Sequence, residues 1–175
     1  MRYIALLRGI NVGGNHRVEM KRLKQALEDM GCFDVKTYIN SGNAWFSSEE
    51  DPRALSNKIP TELERVFGFS IPALVKTQED MRMIAESIPA GWENDDAQKT
   101  DVAYLFADVD VESIVNSLPI RKEFVDVRYV PGALIWNVKR ADYHRSHLNK
   151  VIEQKLYKSM TVRNVNTARI LGFAD

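Results

Sequence analysis

One switch of hydrophobic period, from two to about 3.6 and back, occurs twice in this chain and leaves few folds open to it. Residues 3–8 read as an apolar strand. Residues 20–30 then place Leu23, Ala26, Leu27 and Met30 on one face of a helix that Gly31 ends. Residues 35–40 and 43–47 alternate with period two around Ser41-Gly42, a hairpin signature. A second helix starts at Asp51, carries Leu55, Ile59, Leu63 and Phe67 on one side, is expected to kink at Pro60, and stops at Gly68. Residues 71–76 close the set, so the first half runs β-α-β-β-α-β. A further helix, residues 78–88, follows Thr77, with Asp80 three residues on as a capping-box variant.

The order then begins again. Residues 89–99 are polar and rich in Asp, Asn and Gly, and read as a linker between a first half, 1–88, and a second, 100–175. Residues 102–107 read as a strand, 111–118 as a helix, and 124–130 and 133–139 as a hairpin around Pro131-Gly132. Residues 141–158 read as one long helix with Leu148, Ile152 and Leu156 on its apolar face, and no sixth element is clear. The expected fold is α+β: two ferredoxin-like β-α-β-β-α halves, each a small antiparallel sheet with helices on one face, packed into one compact body. The motive for a shared body is the first strand, apolar on both sides: Tyr3, Ala5 and Leu7 on one, Ile4 and Leu6 on the other.

Composition narrows function by exclusion. Lys and Arg number 24 and Asp and Glu 24, so the net charge is +0, which speaks against broad non-specific binding of nucleic acid. The balance is uneven. Residues 93–112 hold seven acidic groups against Lys99, and residues 139–169 hold eight basic groups against Asp142 and Glu153. Two solvated faces, or a basic surface for an anionic partner, would both account for that. No run approaches the ~18 apolar residues of a membrane span, and no secretory segment is expected at the start. The lone Cys32 suits a reducing cytoplasm. Nothing in the sequence fixes an oligomeric state or calls for a cofactor.

Two polar knots carry candidate chemistry. The first is the loop Arg8, Gly9, Ile10, Asn11, Val12, Gly13, Gly14, Asn15, His16. It lacks the Lys of a phosphate-binding P-loop and the spacing of a dinucleotide fingerprint. Its backbone amides and Arg8 could hold a small anion, or it could be a tight turn fastened by Asn11. The second knot, residues 161–167, contains Arg163, Asn164, Asn166 and Thr167. Asn166 or Thr167 could cap a short helix over residues 168–171, which leaves Arg163 and Asn164 for an anion.

A two-residue hairpin turn would pair Tyr38 with Trp45 and Asn40 with Asn43, putting Lys36, Tyr38, Asn40, Asn43, Trp45 and Ser47 on one face and Val35, Thr37, Ile39, Ala44 and Phe46 on the other. An exposed Tyr38 and Trp45, with the basic C-terminal stretch, would suit an RNA-binding module; a protein-interaction module is the further alternative. The first and third strands are expected parallel, which sets Gly9 and the Ser41-Gly42 turn at opposite ends of the sheet, roughly 20 Å apart. On that geometry the C-terminal knot can join only one of them, and pairing it with the glycine loop gives the better anion site. Asn40, Ser41 and Asn43 form a second cluster. Cys32, at a helix C-terminus, is a poor nucleophile. His144 and His147, at i and i+3 of one helix, lack a third metal ligand, and no triad or matched carboxylate pair suggests hydrolysis.

The stretches YIALLRGINVGGN, DVKTYINSGNAWF and TVRNVNTARIL resemble the signatures of the family called Domain of Unknown Function 1697, widespread in bacteria. The resemblance implies an α+β fold of two ferredoxin-like halves. It marks Arg8, Gly9, Asn11, Gly13 and Gly14, then Ser41, Gly42 and Asn43, then Arg163, Asn164, Asn166 and Thr167. It implies positions but no activity. Residues 141–147 depart from the family pattern, in which a glycine often precedes the Arg-Ser pair; here Tyr143-His144 precedes Arg145-Ser146.

Overall fold

The computed structural model describes residues 1–174. They form two compact units, Met1–Gln78 and the chain from Glu79 on. Each unit contains one four-stranded antiparallel sheet.

In the first unit β1 (Arg2–Leu7), α1 (Met20–Asp29), β2 (Phe33–Tyr38), β3 (Asn43–Ser47), α2 (Pro52–Phe67) and β4 (Ala73–Thr77) follow the expected order, and the strands lie β2-β3-β1-β4 across the sheet. Tyr3, Ala5, Leu7, Ala44 and Phe46 pack in one core with Leu23 and Leu27 of α1 and Leu55, Ile59 and Leu63 of α2. Ile4 and Leu6 are also fully buried, so β1 is buried on both faces as its sequence requires. Asp51 caps α2 by accepting the N–H groups of Arg53 and Ala54. The helix continues through Pro60 as one element and ends at Gly68 in the left-handed region.

The hairpin register differs from the expected one. Tyr38 lies opposite Asn43 and Lys36 opposite Trp45, so the turn holds four residues, 39–42, instead of two. The side chain of Asn43, fully buried, sets that width by donating to the Tyr38 carbonyl (2.9 Å) and to Ser41 Oγ (3.0 Å). A slip of two keeps each strand residue on its face. Ile39 is the exception: with φ 48° in the turn it leaves the core face and is 47% exposed.

The second unit contains α3 (Gln78–Glu86), apart from its first residue, then β5 (Gln98–Leu105), β6 (Val125–Val130), β7 (Ala133–Lys139), β8 (Met160–Asn164) and α4 (Val165–Phe173). Helix α3 therefore goes with the second unit, where the sequence reading set it in the first, and residues 98 and 99 of the expected linker open β5. The sheet order is β6-β7-β5-β8, the same as in the first unit. The missing sixth element exists: it is β8, built from residues that read as a polar knot.

Neither expected crossover helix of this unit, 111–118 or 141–158, forms as an α-helix. Residues 111–118 yield a 3₁₀ segment, Glu112–Ser117. Residues 141–158 break into 3₁₀ segments at Arg140–Asp142, Leu148–Glu153 and Lys155–Ser159. Ser146 is the cause of the break. Fully buried, its Oγ donates to the Tyr143 carbonyl (2.6 Å) and accepts the N–H of Leu148 (3.2 Å), while its own carbonyl accepts the N–H of Arg121 (2.9 Å). In a helix that carbonyl would accept the N–H of Lys150, which here donates to the His147 carbonyl (2.9 Å) instead. His147 follows at φ 62°, and Ile152, expected in the core, is 60% exposed. The α3–α4 crossing is close: a Cβ on Gly172 would lie 2.3 Å from Ala85 Cβ.

Candidate functional site

The glycine loop leaves β1 between two fixed points. The N–H of Leu7 donates to the Gly42 carbonyl (2.8 Å), and that of Arg8 to the Pro72 carbonyl (2.9 Å). Strands β1 and β3 are antiparallel, with Leu6 opposite Asn43. This overturns the parallel expectation. A β-α-β crossover makes β1 and β2 parallel, and the hairpin then turns β3 against both. The glycine loop and the Ser41-Gly42 turn consequently share one end of the sheet and touch. Gly42 permits the approach: it sits at φ +82°, and a Cβ there would lie 2.6 Å from Ile10 Cδ1 and 2.7 Å from Leu7 Cβ.

Asn11 fastens the two segments. Its Oδ1 accepts the N–H of Val18 (2.8 Å), and its Nδ2 donates to the carbonyls of Val18 (3.0 Å) and Asn40 (2.7 Å). The amide is spent on structure, the tight-turn alternative. Between these anchors the chain doubles back as a small hairpin, with the N–H of Asn11 donating to His16 O (3.0 Å) and that of Asn15 to Val12 O (3.1 Å). Gly13 (φ 59°) and Gly14 (φ 78°) form its tip, the two left-handed positions of a type I′ turn. Their exposed N–H groups donate to no partner among the described residues. His16 stacks on Phe69 with ring centroids 4.7 Å apart. Beside the hairpin lies a cleft of about 380 Å³ lined by Asn11, Gly14, Asn15, Arg17, Glu19 and Asn40. Arg17, 3.8 Å from Glu19, keeps a largely exposed side chain.

The second knot is built differently. Thr161 and Arg163 lie in β8, opposite Tyr104 and Val102 of β5, and both are buried. Arg163 Nη1 donates to Thr161 Oγ1 (2.9 Å) and to the Val162 carbonyl (3.0 Å). Burial brings the pKa of this guanidinium down to about 10, against the opposing pull of Tyr104 and Tyr157. The helix cap is Asn164, not Asn166 or Thr167, and the helix starts three residues earlier than expected. Asn164 Oδ1 accepts the N–H of Thr167 (3.0 Å), while Asn166 is exposed and Thr167 buried.

A family model described as a protein of unknown function, DUF1697, matches residues 1–136. This chain belongs to that family. The DUF1697 match covers the glycine loop and the Ser41–Asn43 turn and ends before the third stretch, residues 161–171. Over the whole length, the chain is similar to the conserved bacterial protein SP0830 from Streptococcus pneumoniae, at 28% identity and a TM-score of 0.85, with 98% of this chain and 96% of that one covered. Comparison with curated proteins gives no match.

In this DUF1697 chain the structure joins the first two motifs, which the sequence reading held apart. One other expectation changes. His144 and His147 do not share a helix: the first stacks edge-on against Tyr143 (5.5 Å) and the second sits at the break. Among the described residues no group of three His, Cys, Asp or Glu side chains could hold a metal, and no helix is long and apolar enough to cross a membrane. Trp45 is 6% exposed and in tilted contact with Tyr38 (5.9 Å), so its ring offers no open face to a base. Sequence reading missed Arg17, two residues beyond the motif but on the cleft, and a second cavity of about 240 Å³ lined by Lys99, Asp101, Trp136, Tyr143, Tyr157 and Asn164. There Lys99 Nζ pairs with the buried Asp101 at 2.8 Å.

Proposed function

We propose that the first unit binds a small anionic, phosphate-bearing ligand at the glycine-loop cleft, and that each unit is a ferredoxin-like fold. The second part is supported by the shared strand order, in which a central pair is flanked by strands reached through crossovers. The first part is carried by one observation: the N–H groups of Gly13 and Gly14, unpartnered among the described residues, sit at a hairpin tip whose Gly14 lines a cleft shared with the exposed guanidinium of Arg17. Two adjacent amides and a fork of guanidinium donors suit the oxygens of a phosphate, and a type I′ tip held by backbone hydrogen bonds lowers the cost of ordering them. Asn11 positions this tip and Arg8 adds positive charge at its base. Arg163, Asn164 and Thr167 serve the framework of the second unit on this reading.

Thermal-shift measurements with inorganic pyrophosphate test it. Wild type should gain stability with rising pyrophosphate, and Arg17→Ala should lose most of the gain while melting at the wild-type temperature without ligand. An equal shift in both proteins would remove Arg17 and the cleft from consideration.

A further inference from the structure

Strand β6 closes the second sheet on one side with a regular, unpaired edge. Its partner β7 follows through Pro131-Gly132, with Val130 opposite Ala133. The pair that closes a two-residue hairpin exchanges both hydrogen bonds, and such pairs alternate along the ladder. Asp126 and Arg128 therefore direct their N–H and C=O groups to β7, while Val125, Val127 and Tyr129 direct theirs outward. Among the described residues no backbone beyond β7 meets those outward groups. The equivalent edge in the first unit is blunted: β2 shifts register between Phe33 and Lys36, with Asp34 at φ 53°. Strand β6 has no such bulge.

The side chains of this edge are self-complementary. Val125, Val127 and Tyr129 face the unit's core, and Asp126 and Arg128 stand exposed on the other face. When two copies of β6 pair antiparallel through their outward groups, only a few registers match hydrogen bonds to hydrogen bonds. Centring on Asp126 sets aspartate against aspartate, and centring on Arg128 sets arginine against arginine. Centring on Val127 sets each Asp126 against Arg128 of the second copy, in the non-hydrogen-bonded positions where side chains approach closest. Arg128 is already ordered, its guanidinium lying 4.9 Å from the centre of the Trp92 ring.

We propose that the partner of this edge is a second copy of the chain, paired β6 to β6 about Val127, joining two second-unit sheets into one continuous two-fold sheet. Sedimentation velocity on the full-length protein, from low micromolar to several hundred micromolar, tests this. Wild type should show a concentration-dependent dimer. Asp126→Arg, a change at an exposed position with no ion pair among the described residues, should weaken the dimer about tenfold or more by setting arginine against arginine. Arg128→Asp should do the same. The double swap, Asp126→Arg with Arg128→Asp, should restore the wild-type dimer, which a fold-damaging change would not. A monomer at every concentration, single swaps that dimerise like wild type, or a double swap no better than the singles would each overturn the proposal.

Discussion

Two α-helices of 10 and 16 residues cross the first sheet, whereas the corresponding crossings of the second are a six-residue 3₁₀ segment and a run of three more. The strands nevertheless fall into the same order in both units. Strand order is thus specified by the strands and their two hairpins, and the covering elements need only reach across and bury the apolar face. The first unit covers that face with helix stripes such as Leu55, Ile59 and Leu63. The second pins irregular chain with polar staples. Asp110 accepts the Gly132 N–H (2.8 Å) and the Tyr129 hydroxyl (3.1 Å), Ser159 donates to Asp108 (2.8 Å), and Ser146 holds three backbone groups at once. Its strands compensate in length, with eight residues in β5 and seven in β7.

The sharpest break of this comparison is a glycine substitution where the first unit relies on close packing. Gly42→Ala must hold a Cβ at φ +82° and fit it against Ile10 and Leu7. Left-handed strain and overpacking together should remove about 3 kcal/mol of stability, read as a lower urea midpoint at unchanged slope. A loss below about 1 kcal/mol would mean that the loop and turn are free to separate, and the union of the two motifs would fail with it.

Ser146→Ala tests the second unit's reliance on polar staples. It removes two hydrogen bonds from a fully buried hydroxyl and should destabilise by about 2 kcal/mol. A neutral or stabilising result would show that the 141–158 segment accepts a helix, as its sequence periodicity suggests. That periodicity misled because Leu148, Ile152 and Leu156 recur every four residues whatever a buried serine does to the backbone between Tyr143 and Leu148. The core of the first unit was legible because its strands and helices each satisfy one period without interruption, from Tyr3-Ala5-Leu7 to Leu55-Ile59-Leu63. Strand β8 was hidden because Arg163 and Asn164 read as anion ligands in a loop, and burial of an arginine is set by tertiary packing that no local pattern records. The candidate site was legible as residues and illegible as geometry: Asn11, Gly42 and Asn43 were all marked, but their meeting depends on strand direction.

Asn11→Ala should act more locally. The loss of its hydrogen bonds to Val18 and Asn40 should lower stability by about 1–2 kcal/mol and free the hairpin tip. Amide exchange should accelerate at Val18 and Asn15 while Leu6 and Ala44, inside the sheet, keep their wild-type rates. Equal acceleration across the sheet would show that Asn11 supports the whole unit and does not merely hold the loop to the turn.

The smallest expected effect sits at the entry to the second sheet. Asp95 Oδ1 accepts the N–H groups of Ala97 (2.8 Å) and Gln98 (2.9 Å) just before β5. The bond from Gln98 first, then that from Ala97, with Arg140 adding its charge, holds the Asp95 carboxyl below its ordinary value of 3.8. A carboxyl whose folded pKa is depressed stabilises the fold fully above its unfolded pKa, and that stabilisation is lost as the pH falls through the lower, folded value. Wild type should therefore exceed Asp95→Ala in stability by a constant small margin at neutral pH, and the margin should close only below about pH 4. The carboxyl resonance of Asp95, followed by NMR, should titrate below the range of the exposed carboxylates. A midpoint in the ordinary range would show that the turn leading into β5 is not held by this side chain, and that the second unit's staples begin only at Asp108.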